Sequence, residues 1–174
     1  MFEDIVFFKE KPFDLGFGRV HCNPDIVIAK GGSDELNRKL IEDKRTDILL
    51  DPEPETYDKL HYRSSGLNHV LCKLAKKNNV CIAFSFRRML YSKNRALLFG
   101  KIMQNIKLCR KYKVNVVFGS FAENKWEMRS PHELKTLMQC LGMRAEEEKK
   151  SLSSVSGILE RKKRFVKEGV EILD

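Results

Sequence analysis

The 24 residues from Arg63 to Phe86, RSSGLNHVLCKLAKKNNVCIAFSF, restrict the possible folds more than any other part of the chain. Ser64 or Ser65 is placed to cap a helix by accepting from its first free amides. Leu67, Val70, Leu71 and Leu74 follow at i, i+3, i+4 and i+7, which puts them on one apolar stripe. After Asn78-Asn79 the chain reads Val80-Cys81-Ile82-Ala83-Phe84, a continuous apolar run suited to a strand covered on both faces. A helix feeding straight into a doubly buried strand is the half-unit of a parallel α/β fold.

The same alternation recurs along the chain. Strand-like runs lie at Asp4–Phe8, Asp25–Ala29, Asp47–Leu50, Val80–Phe86 and Val114–Phe118. Helical patterns occupy Ser33–Asp43, Ser65–Lys77, Asn94–Tyr112 and Pro131–Leu141, the last begun by Ser130-Pro131 and ended by Gly142. The tail from Ser151 to Asp174 is helical in pattern and carries Arg161-Lys162-Lys163-Arg164. Short strands alternating with longer helices predict a parallel sheet with helices outside, either doubly wound or a barrel. At 174 residues one domain is expected, with a core large enough to need no disulfide or metal.

Composition bears on partners. The net charge of +9 favours a polyanion, nucleic acid or an anionic membrane. Five cysteines, at 22, 72, 81, 109 and 140, form no C-x-x-C pair, and three lie in apolar patterns, so they read as buried thiols of a reducing compartment. No signal peptide or membrane span is evident, and a soluble, cytoplasmic protein is expected.

Catalytic signals are weak. His21, His61, His69 and His132 form no H-x-H or H-E-x-x-H, so no metal site is expected. No glycine-rich phosphate loop follows a strand. Asp47 and Asp51 flank a strand, while Glu53 and Glu55 sit in PEPE, which reads as a solvated loop. Basic residues are the stronger theme. Arg87-Arg88 follow a buried strand, Lys107 to Lys113 thicken a helix end, and Arg129 lies in a loop beside the single tryptophan, Trp126. Such side chains neutralise phosphates, and arginine can also clamp them bidentately.

Three stretches resemble the ribonuclease P protein component 3 family, in its archaeal form. They are DELNRKLIEDKRTDILLDPE (34–53), SSGLNHVLCKLAKKNNVCIAFSF (64–86) and NIKLCRKYKVNVVFGSFAENKWEMRSPHELKTLMQCLGM (105–143). The resemblance covers about residues 25 to 160, and its two specific signatures are GLNHVL and KWEMRSPHEL. It implies a TIM-barrel-like α/β fold related to metal-dependent phosphoesterases, here shortened at the N-terminus. One weak further strand is expected near Gly142-Met143, and a partner or an N-terminal loop is expected over the open edge. It also implies a subunit of the enzyme that removes the 5′ leader from precursor tRNA. The RNA with its magnesium does the chemistry, and this chain binds no cofactor or metal of its own. The expected partners are ribonuclease P RNA, precursor tRNA through the holoenzyme, and ribonuclease P protein component 2, a smaller RRM-like subunit. By motif match the RNA-binding or subunit-interface residues are Arg38, Asp47, Arg63, His69, Arg87, Lys111 and Arg129, none of them catalytic. The alternative is a metal-dependent phosphoesterase on a related barrel.

Overall fold

A computed structural model describes residues 1–58, 63–167 and 170–171. Its elements are β1 (Glu3–Val6), β2 (Arg19–Cys22), β3 (Ile28–Lys30), α1 (Asp34–Glu42), β4 (Ile48–Leu50), α2 (His69–Lys77) and β5 (Cys81–Ser85). Next come α3 (Phe86–Tyr91), α4 (Arg95–Tyr112), β6 (Val116–Gly119), a 3-10 turn (Lys125–Glu127), α5 (Pro131–Cys140), α6 (Ala145–Ser151), α7 (Val155–Arg164), β7 (Phe165–Lys167) and β8 (Val170–Glu171).

Strands β3-β4-β5-β6 form one parallel sheet and β1-β2 a second parallel pair. A bridge between Val6 and Ala122, with Phe7 N–H donating to the Ala122 carbonyl at 2.7 Å, joins the two. The resulting order is β2-β1-β6-β5-β4-β3, the curved parallel array of a TIM-barrel-like fold with helices outside. Among the described residues nothing pairs β2 with β3, so the barrel is not closed by strand pairing.

The pleat sorts the core into two layers. Leu49, Ile82, Phe84 and Phe118 point outward onto α1, α2, α4 and α5. Ile5, Ile48, Leu50, Cys81, Ala83 and Val117 point inward. This is why β5 is buried at every position. Inside, Val155, Ile158 and Leu159 of α7 pack against these inward side chains, so a C-terminal helix fills space that a fuller set of strands would enclose.

Several expectations are corrected. Helix α2 starts at His69 rather than Ser65, and Asn68 caps it, its Oδ1 accepting from Val70 and Leu71 N–H. Ser65 cannot begin the helix because Gly66 has φ +78°, and a Cβ there would lie 1.8 Å from the Pro52 carbonyl oxygen. Strand β5 stops at Ser85, whose hydroxyl caps α3, so Phe86-Arg87-Arg88 are helical. Strand β2 carries no periodic signal, since RVHC lacks an apolar run. No strand forms at Gly142-Met143; Gly142 lies in the turn that follows α5, and Met143 leads on toward α6. The tail from Ser151 holds one helix, α7, set off from α6 at 152–154 and followed by the antiparallel pair β7-β8, with residues 168–169 and 172–174 outside the described set. His61 also lies outside it. The cysteines are all free; Cys72, Cys81 and Cys109 are buried, Cys22 and Cys140 exposed.

Candidate nucleic-acid interface

At the C-terminal end of the sheet two aspartates clip neighbouring strands by the same device. Asp51, just past β4, accepts from Ser85 N–H (2.9 Å) and Ser85 Oγ–H (2.6 Å) at the end of β5. Asp4 in β1 accepts from Ser120 N–H (2.7 Å) and Ser120 Oγ–H (2.5 Å) just past β6. Both carboxyls are buried, which pushes Asp51 up and Asp4 up to about 6 against the opposing pull of these hydrogen bonds.

A second buried network braces the loop after β4. Arg88 turns inward, its Nη1 donating to the Asp51 carbonyl at 2.9 Å and its Nη2 to the Glu53 carbonyl. Glu53 is fully buried; its carboxylate accepts from Asn105 Nδ2 at 2.7 Å and lies 3.9 Å from Arg88. Lys101, 1% exposed, donates to the Pro54 carbonyl at 2.8 Å and to that of Thr56. The solvated-loop reading of Asp51 and Glu53 is therefore overturned; only Glu55 of the set is exposed. No local pattern marks this: their partners lie 34 and 52 residues away. The apolar stripe around Lys101 in α4 is the one available hint.

The loops so braced surround a cleft of about 690 Å³ over the strand ends, lined by Phe7, Leu50, Asp51, Ser85, Arg88 and Tyr91 among others. Lys30 and Lys93 stand on its walls. Among the described residues no three His, Cys, Asp or Glu side chains converge as metal ligands.

The seven residues singled out in the sequence divide by position. Arg63, His69, Arg87 and Arg129 all lie in loops or helix starts that follow β4, β5 or β6, at this end of the sheet. Arg63 donates to the Gly100 carbonyl at 2.9 Å and pairs with Asp58 at 3.4 Å. His69 is exposed as the first residue of α2. Arg87 pairs with Glu123 (2.7 Å) and Glu127 (3.0 Å) and stacks over Tyr91. Arg129 donates to the Trp126 and Met128 carbonyls at 3.0 and 2.7 Å and lies over the Phe86 ring.

The other three are elsewhere. Arg38 sits on the outer surface of α1 in a pair with Glu42. Asp47 precedes β4 at the opposite end of the sheet, accepting from Val27 N–H and facing Lys162 of α7 at 3.7 Å. Lys111 ends α4, also at that opposite end, over the Tyr112 ring. The fold thus brings four of the seven together and separates three.

Both signature motifs resolve into scaffold and remainder. In GLNHVL, Gly66 supplies the left-handed turn, Leu67 and Leu71 are buried, and Asn68 caps. In KWEMRSPHEL, Ser130 and Glu133 form a reciprocal capping box, Pro131 opens α5, and Met128 and Leu134 are buried. Glu127, 3% exposed, accepts from Glu123 N–H, Tyr91 Oη, Asn124 Nδ2 and Arg87 Nε. Burial works against its charge, but these donors and the Arg87 charge outweigh it and hold the carboxyl below its usual range. Outside the core in the two motifs stand His69, Val70, Lys125, Trp126, Arg129 and His132.

Comparison with known proteins gives a consistent result. The family model described as RNase P subunit p30 matches residues 15–165. Ribonuclease P protein component 3 of Methanosarcina acetivorans is 34% identical over the whole of this chain and 73% of its own length. A chain from a cryo-EM structure of archaeal ribonuclease P with mature tRNA superposes with a TM-score of 0.69 at 26% identity, covering 99% of this chain and 76% of that one. An amidohydrolase crystal structure, 11% identical with a TM-score of 0.55 over 80% of this chain and 34% of its own, shares the fold alone.

Proposed function

The chain belongs to the RNase P subunit p30 family, and we propose that it is a protein subunit of ribonuclease P that binds and stabilises the RNA. In this reading the RNA removes the 5′ leader from precursor tRNA, and no side chain of this protein performs the cleavage. Magnesium serves the RNA, where it activates water for in-line attack.

The observation that carries the reading is the match along almost the whole chain to a subunit of an assembled archaeal enzyme with tRNA. The geometry supports it: Arg63, His69, Arg87 and Arg129 stand at one end of the sheet, on loops that buried hydrogen bonds hold in place. Arginines on a rigid rim neutralise phosphates with counterion release, and they lose little freedom on binding. Component 2 docks on another face. Arg38 on α1 and Lys111 at the far end of α4 stand where a protein contact leaves the RNA-facing rim free.

Reconstitution tests the proposal. Omitting the chain from an otherwise complete enzyme is expected to lower precursor cleavage or raise the magnesium requirement. Unchanged cleavage at all magnesium concentrations would refute the assignment.

A further inference from the structure

The turn between β6 and α5 is held far more firmly than an exposed loop needs, and what it presents to solvent is an indole. Trp126, the only tryptophan, is 73% exposed. Its backbone N–H donates to Asn124 Oδ1 at 3.1 Å, its backbone carbonyl accepts from Arg129, and the next residue, Glu127, has a carboxylate with four donors. Phe13, from the segment before β2, meets the Trp126 ring edge-on with centroids 5.3 Å apart and planes at 69°. Lys125 Nζ stands 5.6 Å from each of the two ring centroids. An edge-on neighbour leaves most of the indole surface open.

Leaving this much aromatic surface in water is unfavourable, and the network beneath gives the folded core nothing that a smaller residue would not allow. A flat π-face beside an ammonium group matches one chemistry closely: a nucleobase, with its phosphate on the cation. The carboxylates nearby are Glu10, 3.9 Å from Lys125, and Glu123, paired with Arg87. Both are more than half exposed, so their hold on the cations is weak and screened. Arg129, on the other side of the turn, donates only to carbonyls among the described residues.

We propose that Trp126, framed by Phe13 and Lys125, is a stacking platform for an unpaired nucleobase of RNA. Bases inside a helix hide their faces against one another, so the platform takes a loop, bulge or single-stranded end. Stacking of this kind tolerates any base; it adds affinity and fixes position without reading sequence. The inference rests on the reading above that RNA is the partner.

The single tryptophan makes the test direct. The full chain is titrated with single-stranded RNA, with a blunt RNA duplex, and with the ribonuclease P RNA, while its fluorescence is followed. Single strands and the ribonuclease P RNA quench the emission, and the duplex does so far less. Trp126→Ala weakens binding of both by roughly five- to a hundred-fold, Trp126→Tyr restores much of it, and the salt dependence of affinity keeps its slope because no phosphate contact is lost. Trp126→Ala that binds the ribonuclease P RNA as the parent does overturns the platform and leaves the subunit assignment standing. Emission that changes on adding component 2 and not RNA overturns it too, assigning the indole to a protein contact. A chain that binds no RNA refutes the platform together with the assignment.

Discussion

A carboxyl group with no exposed surface stays ionised only if its neighbours replace water, and Glu53 is served poorly in this respect. One hydrogen bond from Asn105 and an arginine 3.9 Å away face it, while its Oε2 accepts no hydrogen bond. Burial, and next the charge of Asp51, push it up to about 8 from 4.5. The sign depends on which state holds the proton. Between those values the folded chain keeps it and the unfolded chain releases it, so the contribution of Glu53 to stability is fully present below about pH 4.5 and is lost as the pH rises toward about 8. The slope for one such group is at most roughly 1.4 kcal/mol per pH unit. Thermal unfolding at a series of pH values should show the decline, and Glu53→Gln, which keeps an acceptor for Asn105, should flatten it. Asp4, raised only to about 6, adds little in the upper part of that window, so an undiminished decline there in the variant would refute the role of Glu53. At the rim, Arg129→Ala should shallow the log-affinity against log-salt slope for RNA by about one unit. Lys111→Ala, at the other end of the sheet, should leave the slope unchanged; a shift equal to that of Arg129 would mean that RNA wraps both ends.

At the scale of elements, the loops of the strand-end rim are positioned by caps. The Ser130–Glu133 box fixes where α5 begins, and with it the direction in which Arg129 leaves the turn. Ser130→Ala is expected to lower stability by about 1 kcal/mol, read as a shift in the urea midpoint. A slope in urea unchanged from the parent would confirm that the loss is local. Asn68 does the same for α2, a role that the run Ser64-Ser65 conceals in the sequence. Two serines before an apolar stripe look like a cap, but the left-handed Gly66 places the start of α2 three residues further on. The helix α3 is hidden for a related reason. Ser85 both ends the buried strand β5 and caps α3, so a strand and a short helix share one uninterrupted run of letters.

Over the whole molecule, α7 closes the interior of a barrel whose outer strands do not meet by pairing. Ile158 is 4% exposed among inward-facing strand residues. Ile158→Ala should therefore lower stability by about 2–5 kcal/mol, measurable by chemical denaturation; a loss near zero would show that α7 merely rests on the sheet. Stopping the chain before Ser154 should remove cooperative unfolding and produce aggregation visible by light scattering, since the interior face of Ile48, Leu50 and Val117 then meets water. The alternation of strands and helices, the parallel sheet and the family are all written in the order of the residues. Those signals are local, because the periods of 2 and 3.6 residues and the turn and capping residues act within a few positions. Three-dimensional packing is what puts Arg63, His69, Arg87 and Arg129 at one end and Asp47 and Lys111 at the other. It alone turned Arg88 inward, sank Glu53 and Lys101, and left Trp126 out. Burial of a charge depends on partners tens of residues away, and those distances close only when the sheet has curved and the helices have docked.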